Sequence, residues 1–164
     1  MTRCRFLVAL TIGAFMALGT ATAQSTARLP NFSGRWRLDE SRSSHDAPRG
    51  LTEIIDHRDS TLRIDSDWDR SRPAGLSNAP LLAPTLKLVA DGDESVNDMP
   101  MGMSVSTKSH WEGAELVTEW RLNGLATPLN GTWKRYLTGS GTMVVDSIAE
   151  GNRSRSTARF VFVK

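Results

Sequence analysis

From Phe32 onward, apolar and polar residues alternate along the chain. Phe32, Gly34, Trp36 and Leu38 fall on one face of an extended segment, and Ser33, Arg35, Arg37 and Asp39 on the other. The same period of two recurs downstream. Leu62, Ile64 and Trp68 alternate with Arg63, Asp65 and Asp67, and Leu86 and Leu88 flank Lys87. Leu116, Thr118, Trp120 and Leu122 share one parity, as do Trp133, Arg135 and Leu137, and then Phe160 and Phe162. Turn signals separate these runs: Asp91-Gly92, Glu112-Gly113, Asn123-Gly124, Asn130-Gly131, Gly139-Ser140-Gly141 and Gly151-Asn152. Ser41 to Gly50 and Arg70 to Pro84 are rich in Ser, Pro, Ala and Gly and read as loops. No segment has a helical period. The pattern predicts an all-β domain, a single antiparallel up-and-down β-barrel of roughly eight or nine strands, with a two-sheet β-sandwich as the alternative closure.

The start of the chain changes the picture. Arg3 and Arg5 precede an apolar run from Phe6 to Leu18, which ends in Ala21-Thr22-Ala23. This is the pattern of a cleavable export signal over residues 1–23, and the run falls short of the about 20 residues a spanning helix needs. Residues 24–30 then form a short linker and 31–164 the barrel domain, periplasmic or secreted, with no membrane span left after cleavage. Cys4, the only cysteine, lies inside the signal, so the remaining 141 residues carry no disulfide and depend on their core. All 18 acidic residues lie beyond Ala23, whereas two of the 20 basic ones precede it, which leaves 18 of each. The charges interleave and form no basic stripe, which speaks against a nucleic-acid partner.

Five tryptophans are a large apolar load for this length. Trp68, Trp111, Trp120 and Trp133 either fill the core or line a pocket for a small hydrophobic ligand. Met99, Met101 and Met103 stand at alternate positions of Met-Pro-Met-Gly-Met and suit an adaptable portal at the barrel mouth. Three thioethers facing one way could instead hold Cu(I), but such sites usually take more ligands, and no metal or cofactor is assigned. His45, His57 and His110 lack metal spacing, and there is no nucleophile elbow, Gly-rich phosphate loop or cysteine nucleophile. Asp65, Asp67 and Asp69 read as a solvated strand face. Nothing in the pattern assigns a catalytic residue.

The Gly34-x-Trp36 strand resembles the opening strand of the calycin superfamily, the lipocalins and fatty-acid-binding proteins, and is most similar to small bacterial secreted lipocalin-like domains. Ser156 to Lys164 is similar to the closing strand of fatty-acid-binding proteins, where an Arg and a Tyr two residues later hold a ligand carboxylate. Here Arg159 is followed by Val161. The stretch Trp111 to Val117 resembles a hairpin of the same proteins. They also carry two short helices after the first strand, where this chain has its Pro48- and Gly50-containing loop. The resemblance implies a structural signature of Gly34, Trp36 and Arg159, with Trp36 buried at the closed end and Arg159 covering it. The portal then falls at the opposite end. Arg135 is expected to be exposed. The implied function is a non-catalytic exported barrel holding a small apolar or amphipathic molecule. The alternatives are an interaction module with a solid core and, third, an enzyme.

Overall fold

The computed structural model describes residues 28–71, 82–127, 129–152 and 154–164. The expected signal, residues 24–27 of the linker and the middle of the Arg70 to Pro84 loop lie outside the described residues. Ten strands follow one another: β1 (Gly34–Leu38), β2 (Thr52–Arg58), β3 (Thr61–Asp67), β4 (Thr85–Val89), β5 (Glu94–Asp98), β6 (Ser104–Glu112), β7 (Glu115–Asn123), β8 (Leu129–Leu137), β9 (Met143–Glu150) and β10 (Arg155–Val163). They form one antiparallel sheet in the order β4-β3-β2-β1-β10-β9-β8-β7-β6-β5. Each strand lies beside its sequence neighbours, and β1 meets β10, as an up-and-down barrel requires.

Ten strands exceed the eight or nine expected, and the difference has a physical cause. In β5, Ser95 and Asn97 face inward while Val96 is exposed, the reverse of an apolar-in pattern. In β2, Glu53 faces inward and Ile54 outward. Such strands look like loop in a hydropathy pattern. A second correction concerns Asn130-Gly131, which is no turn. It lies within β8, where Gly131 pairs with Trp120 on one side and Ala149 on the other. Gly113 does make its turn, at φ 61°, in the two-residue connection from β6 to β7.

The two seams of the barrel are sewn by side chains. The β1–β10 ladder is short, with Arg37 opposite Val163 and Leu38 opposite Phe162. Beyond it, the Ser-rich loop continues the pairing. Ser44 N–H donates to the Arg159 carbonyl at 2.8 Å, while the Arg159 and Val161 N–H groups donate to Ser44 Oγ (2.8 Å) and Ser43 Oγ (3.0 Å). Between β4 and β5 the sheet order has no ladder. There the Asn97 amide takes its place, accepting from Lys87 N–H at 2.6 Å and donating to the Lys87 carbonyl at 3.1 Å. This is the bidentate geometry of a neighbouring strand supplied by one side chain.

Inward positions from every strand except β5 form one core, from Trp36 and Leu38 through Leu62, Ile64, Leu86 and Leu88 to Trp120, Trp133, Phe160 and Phe162. No helix among the described residues is long and apolar enough to cross a membrane.

Candidate functional site

Strand parity decides what the barrel presents inside. Apart from Glu53, the β2–β4 wall is apolar, with Ile55, Leu62, Ile64, Leu86 and Leu88. The facing strands contribute Ser95, Thr107, Ser109, Thr118 and Ser147, all buried. Ser109 and Thr118 share a 2.9 Å hydrogen bond, and Trp133 Nε1–H donates to Ser147 Oγ at 3.1 Å. Trp120 lies against Trp133 with tilted rings 6.4 Å apart. Its indole N–H is buried with no partner among the described residues, a costly state of about 1–3 kcal/mol.

One ion pair crosses this interior. Arg135 Nη1 stands 2.7 Å from Glu53 Oε2, and Nη2 lies 3.4 Å from Oε1. The side chains are 2% and 1% exposed, so neither charge reaches water. Arg135 Nη1 also contacts Met143 Sδ at 3.2 Å. The expectation of an exposed Arg135 is corrected: it shares parity with buried Trp133, and Glu53 from β2 makes its burial tolerable.

One end of the barrel is shut by aromatic rings. Phe32, His57 and Trp111 lie near-parallel, with centroids 5.8–6.1 Å apart. Phe32 N–H donates to His57 Nδ1 at 3.3 Å, and partial burial pushes the imidazole below its ordinary pKa of 6.5. Trp36 is buried beside them, with its Nε1–H donating to the Phe32 carbonyl at 2.7 Å. The cation over Trp36 is Lys164, whose Nζ lies 5.0 Å from the ring centroid. Arg159 does not cover it, which corrects that expectation. It lies on the outer face with its Nε and Nη2 donating to Asp146 at 2.6 and 2.9 Å, and Tyr136 OH joins the same carboxylate at 3.1 Å. Parity is the reason: Phe160 and Phe162 take the inward positions of β10. Gly34 has φ 136°, and a Cβ there would meet Lys164 Cε at 3.6 Å.

The connections β1–β2, β3–β4 and β5–β6 gather at the opposite end. Asp39 opens the first of them, its carboxyl lowered to about 2 by hydrogen bonds from Ser41 and then Arg42. Trp68 is half-buried after β3 and packs against the core. Met99, Met101 and Met103 do not point one way. A 3₁₀ turn at Pro100–Gly102 puts Met101 at φ 62° and leaves it 88% exposed, while Met99 is buried in the core and Met103 packs beside it. The premise of a shared thioether face is thereby corrected.

A groove of about 650 Å³ opens on the outer side of β5 to β10, with Lys108, Glu119, Arg121, Thr132 and Glu150 among its walls. Its charges are mixed in sign. Of the residues the sequence singles out, Trp120 and Trp133 lie inside the barrel and Trp111 in the shut end, while Trp68 and the methionines lie at the other end. The residues that the alternation does not reveal are Glu53, Asn97 and the small hydroxyl side chains of β5, β6 and β9.

No family model and no curated protein matches the chain in sequence. Solved structures do match in shape. The crystal structure of apo lipid binding protein 8 from Caenorhabditis elegans superimposes with a TM-score of 0.53 at 14% identity, over 84% of this chain and 99% of that one. A luciferase domain from the dinoflagellate Lingulodinium polyedrum gives a TM-score of 0.47 at 9% identity, over 79% of this chain and 41% of that one. The ten-stranded meander, its β1–β10 closure and the first of these likenesses together make the fold a calycin-like barrel.

Proposed function

We propose that this barrel is a carrier that holds one small apolar molecule inside it and does no covalent chemistry on it. The observation that carries this reading is the makeup of the interior. Buried hydroxyls and a Trp120 indole N–H without a partner share the interior with an apolar wall of Leu and Ile, which is more polar than a core built only for stability needs. A buried donor without a partner is satisfied when a ligand brings an acceptor to it. The lipid-binding protein that shares this barrel supports the same reading. So does the use of Glu53 and Arg135, the buried charged pair, on each other rather than on a cleft open to substrate. In this reading the carrier works in the periplasm or outside the cell, which the export-like start of the sequence supports.

The interior side chains of the described residues are packed against one another, so a ligand enters only as the barrel opens. The Met99–Met103 end and the β4–β5 seam are where it has least to break. The test is titration with an uncharged, environment-sensitive apolar dye. Saturable binding in the micromolar range, worth about 8 kcal/mol, with partial quenching of the Trp emission is expected. Trp120 touches the outer groove as well as the interior, so the reporter is Trp133: binding that leaves Trp133 emission unchanged would place the dye in the groove and favour the solid interaction module. No saturable binding would end the carrier reading.

A further inference from the structure

The Glu53–Arg135 pair joins residues 82 positions apart across the barrel interior. Among the described residues they are the two buried charged side chains. Stability alone does not call for them, because apolar side chains of similar volume commonly replace a buried pair without loss. The pair matters for what else can enter. In the sheet register Arg135 lies opposite Leu116 and Val145, so its surroundings are apolar apart from Glu53. Glu53 lies opposite Trp36 and Ser66.

We propose that Glu53 is a built-in counter-ion that restricts the barrel to uncharged apolar ligands and turns carboxylates away. The proposal rests on the carrier reading above and names its ligand class. Without Glu53, the Arg135 guanidinium would be a buried cation with a bidentate face, the partner a ligand carboxylate seeks. With Glu53 in place, that face is already taken. An anionic ligand would then add a second negative charge to one cation, and it must either stay unpaired or displace Glu53 and strand it in the core. An alcohol, ester or ketone of the same chain length brings no charge and meets neither penalty. Glu53 thus sets specificity through Arg135.

Decanol and sodium decanoate, competing separately for the bound uncharged dye at about pH 8, test this, since the carboxylate is then fully ionised. The unaltered protein is expected to take decanol at least about 30-fold more tightly than decanoate. Glu53→Gln keeps the shape, removes the anion and leaves Arg135 free to pair, so decanoate should become the tighter ligand. Glu53→Leu combined with Arg135→Met removes both charges and should retain decanol and reject decanoate again. Equal or tighter binding of decanoate by the unaltered protein would overturn the proposal even if Glu53→Gln fails to fold. Decanol binding with a ratio that Glu53→Gln does not move overturns it while leaving the carrier reading intact. Absence of dye and decanol binding alike removes the carrier reading and this proposal together.

Discussion

A Cβ at Gly131 would lie 2.6 Å from Trp120 Cζ2 and would collide with the Ile148 carbonyl oxygen. Two neighbours therefore forbid a side chain there, and one of them is backbone that has little room to give. The close approach lets the Trp120 ring sit against Gly131 and pack with Trp133. Gly131→Ala is expected to destabilise the fold by about 1–3 kcal/mol or more, read as a lower Tm, whereas Gly139→Ala, with open space around it, should change little. A Gly131→Ala variant as stable as its parent would show that both the Trp120 ring and the Ile148 backbone give way freely. At this scale the sequence is readable where parity suffices. Trp36, Trp120 and Trp133 carry their inward direction in their spacing. Arg135 shares that spacing, but a lone arginine reads as exposed because its partner is 82 positions away and invisible to any local pattern. Asn130-Gly131 misleads for the opposite reason: a dipeptide suited to a turn was needed here for its lack of a side chain.

Whole elements were legible when one face was plainly apolar, as in β1, β7 and β10, and obscure when the interior itself was polar, as in β2 and β5. The Ser41 to Gly50 loop shows the same limit. Its serines mark a loop correctly, yet their role as surrogate partners for β10 depends on a strand more than a hundred residues later. The shut end joins the residues before β1 to the ends of β2 and β6 through Phe32, His57 and Trp111. Burial lowers the His57 pKa in the folded chain below 6.5, so the unfolded chain takes up the proton first. This contribution to stability is complete above about pH 6.5 and is lost as pH falls toward the depressed folded value. Protonation also removes the acceptor that Phe32 N–H uses. Tm measured between about pH 7.5 and 5.5 should therefore fall more steeply in the parent than in His57→Phe, which keeps an aromatic ring but cannot titrate. Parallel curves would show that His57 does not sense this range.

At the scale of the molecule, a ten-stranded barrel with a packed interior can act as a carrier only if one seam yields before the rest. The two seams differ in kind. At β1–β10 the closure combines a short ladder with several hydrogen bonds from the Asp39 to Ser44 segment. At β4–β5 the sheet ladder is missing, and the Asn97 amide holds Lys87 N–H and C=O together. Breaking those two bonds frees two strands to part without unpairing any strand from its hydrogen-bonded neighbours. Asn97→Ala leaves both Lys87 groups without their partner and should cost about 1–3 kcal/mol. The cost should be local. Amide exchange at Lys87 should quicken markedly, while the central strands β7, β8 and β9 keep their protection relative to global unfolding. The apolar dye should bind and leave faster in Asn97→Ala, with a smaller change in its Kd, because a gate alters both rates together. Val96→Ala, on the exposed face of the same strand, should leave exchange and dye rates alone. Unchanged dye rates in an Asn97→Ala protein whose Lys87 amide has lost protection would move the entrance to the Met99–Met103 end.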